Sequence, residues 1–499
     1  MELLANLTMG FQVALTPQNL LFCLAGATVG TAVGVLPGIG PVTTIAMLIP
    51  LTFHMPAVGS LIMLAGIYYG ANHAGATTSI MLNMPGEPSA VVVCLDGYPM
   101  AKKGRAGAAL AMSAIASFAA GCVAFLIVAS LAPALSHLAL LFGPAEYFAT
   151  IVMALVMTSI LTDDGLLTTL GLCMIGLLLG AIGTDLTTGD SRYSFGFTAL
   201  SDGIDFVAVA VGLYALTEII EYSSTDTVRQ NILFSFRGLI PSRDELRSSI
   251  SPIIRGTGIG SLLGIFPGTG PMLSSFIAYA MEKRIARDPQ RFGKGAIEGV
   301  VGPESAANAA AITHFIPMLT LGIPAGAAMA IMLGALQIQG IAPGPTVMTN
   351  HPALFWGVIA SMWIGNLMLL VLNLPLIGVW VRLLGMPFQV LYPPIIAFSC
   401  LGVYSIHNAS FDIYIAAACG VLGIVLRIMG CNPAPLILAI ILEPMLEQNF
   451  RRSLILSNGD PLVFLTNPAS LGILVFTVVV LVYFKARRRH VIKAVEEPA

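Results

Sequence analysis

Charged side chains are scarce in this sequence, and long polar stretches are absent. Only 10% of the 499 residues are Asp, Glu, Lys or Arg, and 57% are hydrophobic, whereas soluble proteins carry about 25% charged residues. The mean hydropathy is +0.89. No Lys or Arg precedes Lys102, so the N-terminus lacks the basic region of a cleaved signal peptide. The composition predicts an all-α polytopic membrane protein with about 10–12 membrane helices.

Motifs for disulfides, structural zinc, nucleotide hydrolysis and hydrolytic catalysis are also missing. The 7 cysteines show no CxxC spacing, which gives neither a zinc site nor a disulfide framework. No GK[ST] follows a glycine-rich loop, and neither HExxH nor GxSxG occurs. We therefore expect no enzyme activity and no cofactor, and any transport must be driven by an ion gradient or by a partner.

One glycine- and proline-rich stretch occurs twice. Residues 26–41 read GATVGTAVGVLPGIGP, and residues 256–271 read GTGIGSLLGIFPGTGP. Each copy is a GxxxG helical face that ends in PGxGP. Close helix packing explains the GxxxG face alone, but it does not explain why the same break recurs in both halves. A matched pair of broken hydrophobic segments indicates the binding site of a secondary transporter.

The placement of Lys and Arg predicts the orientation, because cytoplasmic loops are enriched in them. Basic loops at 229–247 and 283–294 flank the second copy. Its two arms, about 14 and 10 residues long, are too short to span and predict a re-entrant helical hairpin that opens to the cytoplasm. The loop after the first copy, at 53–56, has no Lys or Arg. This contrast predicts two inverted-topology repeats.

These patterns divide the chain into four expected segments. They are a first membrane repeat with the PGIGP hairpin (1–225), a cytoplasmic connection (226–251), a second membrane repeat with the PGTGP hairpin (252–484) and a basic cytoplasmic tail (485–499). The tail places the C-terminus in the cytoplasm. Arg451 and Arg452 fit this topology poorly, because they fall on the predicted outer side.

Candidate substrate-binding residues lie at the two tips and in the broken segments that follow them, where Ala71-Asn72 matches Ala307-Asn308. Helix N-termini that meet at the midplane bind anions, and amide, hydroxyl and carbonyl oxygens suit a polar substrate or Na⁺ near the two hairpin tips. The alternative is that the hydroxyls only bond to their own helix turn. The predicted residues are Pro37, Gly38, Gly40, Thr43, Thr44, Asn72, Thr77, Thr78, Pro267, Gly268, Thr269, Gly270, Ser274, Ser305 and Asn308.

Isolated ionisable or polar residues in these segments are candidates for ion coupling, because charges inside a membrane are usually functional. They are His73, Glu304 and Asn83, and a position near a helix end is the alternative. No Lys or Arg occurs in 1–101 or 295–381. An anionic substrate would therefore be held by helix dipoles, amides and hydroxyls, with Na⁺ or H⁺ as the coupling ion. A neutral substrate fits the same pattern.

The sequence resembles the large membrane subunit, the TctA-type permease, of the tripartite tricarboxylate transporters. The similarity covers essentially the whole chain and rests on both PGxGP stretches, on segments 68–88 and 302–308, and on 183–206. The resemblance implies a bacterial inner-membrane permease that imports carboxylates such as citrate by Na⁺ or proton symport. It also implies two partners, a small four-helix membrane subunit and a periplasmic solute-binding receptor, which the 183–196 stretch would face. A passive channel for small anions is the alternative function.

Overall fold

The computed structural model describes residues 2–36, 40–161, 165–185, 188–223, 241–266, 270–383, 393, 396–397, 399–401, 403–404 and 407–496. The predicted tip residues Pro37, Gly38, Pro267, Gly268 and Thr269 lie outside these ranges. Residues 226–240 of the expected cytoplasmic connection lie outside them as well.

The described residues are predominantly helical. In chain order the helices are α1 (Glu2–Ala14), α2 (Pro17–Val35), α3 (Pro41–Thr52), α4 (Ala57–Leu82), α5 (Val91–Lys102), α6 (Ala106–Ala139), α7 (Pro144–Leu161), α8 (Leu166–Gly180), α9 (Phe206–Ala210), α10 (Thr217–Ser223), α11 (Arg243–Ile265), α12 (Gly270–Ile285), α13 (Glu298–Thr313), α14 (Phe315–Leu321), α15 (Ala327–Ile338), α16 (Thr346–Asn350), α17 (Pro352–Asn373), α18 (Ile377–Leu383), α19 (Ser410–Ile428), α20 (Ala434–Leu456), α21 (Val463–Thr466) and α22 (Pro468–Glu496). Short 3₁₀ turns lie at Pro88–Ala90, Thr198–Leu200 and Pro289–Arg291. A small antiparallel hairpin, β1 (Gly183–Thr184) with β2 (Ser191–Arg192), follows α8, and a π-helical turn, Val211–Leu216, joins α9 to α10.

Several of these helices have the composition of membrane spans. Among the described residues, α2, α6, α17 and α19 are long and apolar enough to cross a membrane. Seven shorter apolar segments of 10–17 residues include α3, α8 and α15. The prediction of an all-α polytopic membrane protein is thereby confirmed. The larger number of about 10–12 membrane helices stays a prediction.

The helices form two compact units. The first unit comprises residues 1–136 and 207–425, and the second comprises residues 137–206 and 426–499. The described parts of both copies of the repeated stretch belong to the first unit, as do the described residues of the predicted site.

In the first unit, the two GxxxG faces are helix-packing surfaces. α2 packs along α4, and α11 packs along α13. A Cβ added at Gly30 would lie 2.3 Å from the Ile67 carbonyl oxygen, and one added at Gly260 would lie 2.1 Å from the Ala306 carbonyl oxygen. Similar close approaches occur at Gly26, Gly34, Gly256 and Gly264. The packing interpretation of these faces is confirmed.

The same contacts fix how the segments after the two tips correspond. Gly34 lies against Ala71, whereas its repeat mate Gly264 lies against Ala310. The same number of residues separates Ala71 from Asn83 and Ala310 from Gly322. Asn83 and Gly322 each end a helix with a left-handed backbone conformation, with φ of 58° and 68°. The match of Ala71-Asn72 with Ala307-Asn308 is therefore wrong by three residues.

The helices before and after the second PGxGP stretch are longer than the two arms that the sequence predicts. α11 has 23 residues and α12 has 16, and α11 begins at Arg243 because Ser242 and Glu245 form a capping box. The expected repeat boundary at 252 therefore falls inside a helix. Burial would raise the pKa of the Glu245 carboxyl, but hydrogen bonds from Arg105 and from Ser242 lower it below its ordinary value.

The helix that follows each PGxGP stretch packs against helices that are distant in the sequence. α3 packs against α15, whereas α12 packs against α5 and the 3₁₀ turn before it. Ser275 Oγ of α12 donates to the Ser89 carbonyl at 2.9 Å. Gln339 Nε2, at the end of α15, donates to the Thr52 carbonyl at 2.9 Å. The helices after the two stretches are thus each joined by a hydrogen bond to a segment from the other end of the first unit's sequence.

In the second unit, α7 and α8 pack against α20, and α7 also packs against α22. The β-hairpin is fastened to α20 by ion pairs. Arg192 donates to both carboxylate oxygens of Glu447, at 2.8 and 3.1 Å. Arg451 donates to Asp185 at 2.7 Å. Arg451 is therefore paired with a carboxylate. This ion pair explains why a cation is present at a position that the predicted topology places on the outer side.

Candidate substrate and ion site

Polar side chains from α6 and α13 meet in the interior of the first unit. Ser117 Oγ donates to Glu304 Oε1 at 3.0 Å, and Asn308 Nδ2 donates to the same oxygen at 3.0 Å. Asn308 Nδ2 also donates to Ser117 Oγ at 2.8 Å. Glu304 is 2% exposed and Asn308 4% exposed. The structure thus brings together two predicted residues, and it adds Ser117, which the sequence did not indicate.

The predicted residues of α4 lie close to this cluster. Asn72 Nδ2 donates to the Tyr68 carbonyl at 2.8 Å, and the His73 ring interacts with the Asn308 side chain. Among the described residues, Asn72 Oδ1 and His73 Nε2 are buried without a hydrogen-bond partner. Buried polar atoms without a protein partner are the ones that a ligand can satisfy. Thr77 is also buried on α4, one helical turn after His73.

A histidine and a tyrosine extend the cluster. Tyr68 Oη lies 3.2 Å from His314 Nδ1, and both side chains are buried. His314 stands at the break between α13 and α14, because Pro317 has no N–H to donate to the Thr313 carbonyl. His314 Nε2 is also buried without a partner among the described residues. The signal in the sequence was a lone histidine within an apolar run.

A second buried carboxyl lies near Glu304. The loop after α4 folds back so that Glu87 packs against Gly75 and is hydrogen-bonded by Ser89. Glu87 and Glu304 are close enough to interact electrostatically. The ion pairs found in the described part of the chain involve neither carboxyl. Glu304 and Glu87 are thus buried acids without a salt-bridge partner there.

Most hydroxyls of the predicted site bond to their own helix. Thr44 Oγ1 and Ser274 Oγ donate at 3.1 and 3.0 Å to carbonyls four residues earlier, which belong to Gly40 and Gly270. Thr78 and Ser305 donate to carbonyls of their own helices as well, three and four residues earlier. These four hydroxyl hydrogens are thus taken up by the protein's own backbone, and binding of a ligand at these side chains stays a prediction. A hydroxyl whose hydrogen is already donated can offer only its lone pairs. Such a group binds a cation more readily than it binds a carboxylate.

Thr43, in the first turn of α3, differs from these hydroxyls. Its Oγ1 donates to Glu218 Oε2 at 2.7 Å. Glu218 follows the π-helical turn 211–216, a type of helix distortion that is frequent at functional sites. This carboxylate lies near the start of α3, where the helix dipole favours negative charge. The sequence did not indicate Glu218.

Asn83 is the one described ion-coupling candidate outside this cluster. It is exposed and adopts the left-handed conformation that ends α4. His73 and Glu304, in contrast, are buried inside α4 and α13 rather than at helix ends.

An exposed aromatic segment follows the β-hairpin in the second unit. The side chains of Tyr193, Phe195 and Phe197 are largely exposed. Tyr193 and Phe195 have positive φ angles of 51° and 50°, a backbone conformation that costs energy for bulky residues. Tyr193 and Phe195 belong to the 183–196 stretch that is expected to face the periplasmic receptor, and Phe197 directly follows it.

A helical membrane protein with buried carboxyl, imidazole and amide groups beside paired helix breaks has the features of a transporter. Residues 20–438 match the family model "Tripartite tricarboxylate transporter TctA family". The chain belongs to this family, which comprises the large subunits of tripartite transporters and is a family of transporter components rather than of enzymes.

Two relatives come from Agrobacterium vitis. The chain is 52% identical over 474 residues, which are 95% of this chain and 94% of the relative, to an uncharacterized 52.8 kDa protein in the TAR-I ttuC' 3' region. It is 57% identical over 215 residues, which are 43% of this chain and 89% of the relative, to an uncharacterized protein in the TAR-II ttuC' 3' region. No solved structure matches the chain.

Proposed function

We propose that this chain is the large permease subunit of a receptor-dependent secondary transporter. It imports a carboxylate, such as citrate or a related organic acid, across the bacterial inner membrane by Na⁺ or proton symport. A small four-helix membrane subunit and a periplasmic solute-binding receptor are its partners, in keeping with the tripartite family. The observation that carries the coupled mechanism is the buried Glu304 carboxyl, which Ser117 and Asn308 hold in place.

Burial of two interacting acids supports coupling to a cation. An ionised carboxylate is costly in a low-dielectric interior unless a cation accompanies it or a proton neutralises it. Glu87 and Glu304 repel each other when both are charged. Binding of Na⁺ or H⁺ at Glu304 removes this repulsion, and Asn72 Oδ1 supplies a further oxygen for a metal ion.

The substrate carboxylate is proposed to bind where the second arms begin. The starts of α3 and α12 present backbone N–H groups and the positive ends of helix dipoles. The tip residues Pro37, Gly38, Pro267, Gly268 and Thr269 complete this site in the proposal. A coupling Na⁺ near the tips would use the hydroxyl lone pairs of Thr44 and Ser274, whose hydrogens already bond to Gly40 and Gly270.

The proposal includes two inverted-topology repeats whose re-entrant hairpins open to opposite sides, with a cytoplasmic C-terminus. Its support is the reciprocal packing of α3 with α15 and of α12 with α5, together with the matched left-handed ends at Asn83 and Gly322. The exposed aromatic segment 193–197 is proposed to face the periplasmic receptor.

Uptake of labelled carboxylates into proteoliposomes tests the function. The vesicles hold this chain and its small partner, with or without the receptor, under an imposed Na⁺ or proton gradient. Accumulation that requires the receptor and one of the gradients supports the symporter and identifies its ion. Equilibration that needs neither contradicts the proposal and favours a passive channel for small anions.

The hairpin tips give a sharper test. We expect Gly268→Leu to abolish uptake without preventing membrane insertion, because the tip has to present bare backbone to the substrate. The matched control is Gly258→Leu, since a Cβ added at Gly258 meets no atom within 4 Å. Uptake per inserted molecule is measured for both variants. Normal uptake by Gly268→Leu would remove the tip from the site.

A further inference from the structure

We propose a second anion site, outside the transport pathway, in which a basic cavity between two loops of the first unit binds the phosphate group of an anionic ligand. The cavity has a volume of about 460 Å³ and is lined by Lys103, Arg105, Asp288, Arg291 and Lys294 among others. Four of these five side chains are cationic. The cavity is wide enough for a phosphate and the group that carries it.

The cations come from two separate parts of the chain. Lys103 and Arg105 lie between α5 and α6, whereas Arg291 and Lys294 lie between α12 and α13. Lys103 Nζ donates to the Lys294 carbonyl at 2.6 Å, which joins the loops. Like charges from distant segments repel, and an anion between them relieves that repulsion.

A buried aspartate holds the backbone on one side of the cavity, whereas the charged side chains that line it are exposed. Asp96 is fully buried, and its Oδ1 accepts the backbone N–H groups of Gly295 and Ala296 at 2.7 and 2.8 Å. Tyr279 Oη donates to Asp96 Oδ2 at 3.0 Å. These bonds fix the backbone of Gly295 and Ala296, which forms one wall of the cavity directly after Lys294.

Two of the cations already have carboxylate partners. Arg105 pairs with Glu245, and Arg291 pairs with Glu298. These ion pairs orient the guanidinium groups, whose five N–H donors exceed what one carboxylate accepts. Lys103 and Lys294 contribute the remaining positive charge. Both loops are those that the positive-inside rule places in the cytoplasm, where basic pockets between membrane helices bind phospholipid headgroups.

Binding of a short-chain phosphatidylglycerol to the purified full-length chain tests the proposal. The test variant carries Lys103→Gln and Lys294→Gln. The control variant carries Lys283→Gln and Arg284→Gln, which remove the same charge from exposed positions at the end of α12, outside the cavity. Native mass spectrometry counts the bound lipid molecules. Phosphatidylcholine of the same chain length, which has no net charge, is the control for lipid binding that does not depend on negative charge.

We expect the cavity variant to bind phosphatidylglycerol roughly 25-fold more weakly than the wild type, because each cation near an anionic surface is worth about fivefold in affinity. The control variant should bind like the wild type. Competition by inorganic phosphate at similar concentrations would identify a soluble phosphate as the source, whereas no competition would identify the lipid. Equal binding by all three proteins overturns the proposal, and so does displacement by citrate but not by phosphate.

A second measurement guards against misfolding of the variant. Binding of phosphatidylglycerol to the wild type should fall as salt rises from low to about 1 M, where the screening length shrinks to about 3 Å. Binding that does not respond to salt contradicts an electrostatic phosphate site. Neither experiment involves uptake, so the result is independent of the proposed symport.

Discussion

Gly260→Ala is expected to prevent stable folding of the first unit, whereas Gly258→Ala on the same helix is expected to be tolerated. The Cβ added at Gly260 would lie 2.1 Å from the Ala306 carbonyl oxygen and 2.7 Å from its carbonyl carbon. These are backbone atoms that cannot rotate away, so α11 and α13 must separate. Overpacking of this kind costs about 1–3 kcal/mol, and more where the backbone cannot shift. Thermal unfolding of the purified proteins in detergent measures the difference.

The control is unusually close in position. Gly258 lies on α11 midway between the packed glycines Gly256 and Gly260, and a Cβ there meets nothing within 4 Å. Alanine at that position even gains about 0.5–1 kcal/mol in helix propensity over glycine. Equal melting temperatures for both variants would show that α11 does not pack on α13 in this way. Gly30→Ala in α2 should behave like Gly260→Ala, because its Cβ would lie 2.3 Å from the Ile67 carbonyl oxygen.

Glu304→Gln is expected to abolish uphill uptake while leaving the protein folded. The amide oxygen of Gln still accepts hydrogen bonds from Ser117 and Asn308, so the packing of α6 on α13 is kept. The side chain can no longer release a proton or offer a negative charge to Na⁺. Substrate exchange without a gradient should persist, because that process does not require cycling of the coupling ion. Uptake under each gradient, compared with exchange, separates the two effects.

Glu282→Gln is the matched control for this substitution. Glu282 is another buried carboxyl, but it already accepts hydrogen bonds from Arg255 at 2.7 and 2.6 Å. A carboxylate whose charge is already neutralised by an arginine does not require a coupling cation for that purpose. Uptake per folded molecule should therefore remain coupled in Glu282→Gln. Undiminished accumulation by Glu304→Gln would locate the coupling ion elsewhere.

The sequence predicted the fold class and part of the site for identifiable physical reasons. Few charges and a high hydropathy are sufficient to predict a helical membrane protein. Asn308, His73 and Glu304 stood out because they are isolated polar residues among small apolar ones. Local patterns of this kind can be recognised in the sequence without any knowledge of the tertiary structure.

The missed residues depend on long-range contacts. Ser117 lies in an apolar run of α6, and its bond to Glu304 joins residues 187 positions apart. Glu218 meets Thr43 across 175 positions. The early start of α11 is different, because the signal was present as Ser242 followed by Glu245 three residues later. The alignment of the segment after the first PGxGP stretch with the segment after the second could be determined only from the structure, where Gly34 and Gly264 closely approach their neighbours.

The contact between α1 and α17 has a consequence for biosynthesis. A Cβ added at Gly10 would lie 2.4 Å from the Trp356 carbonyl oxygen, so α1 packs on a helix that the ribosome makes more than 300 residues later. At about 5–20 residues per second, α1 waits roughly 20–70 s for this neighbour. During that time its apolar face is covered by lipid or by the insertion machinery. Val13 packs beside Gly357. A cysteine at this position should react with a thiol reagent in chains arrested before α17 and should be protected in the finished protein. Equal reactivity in both would show that another contact covers α1 earlier.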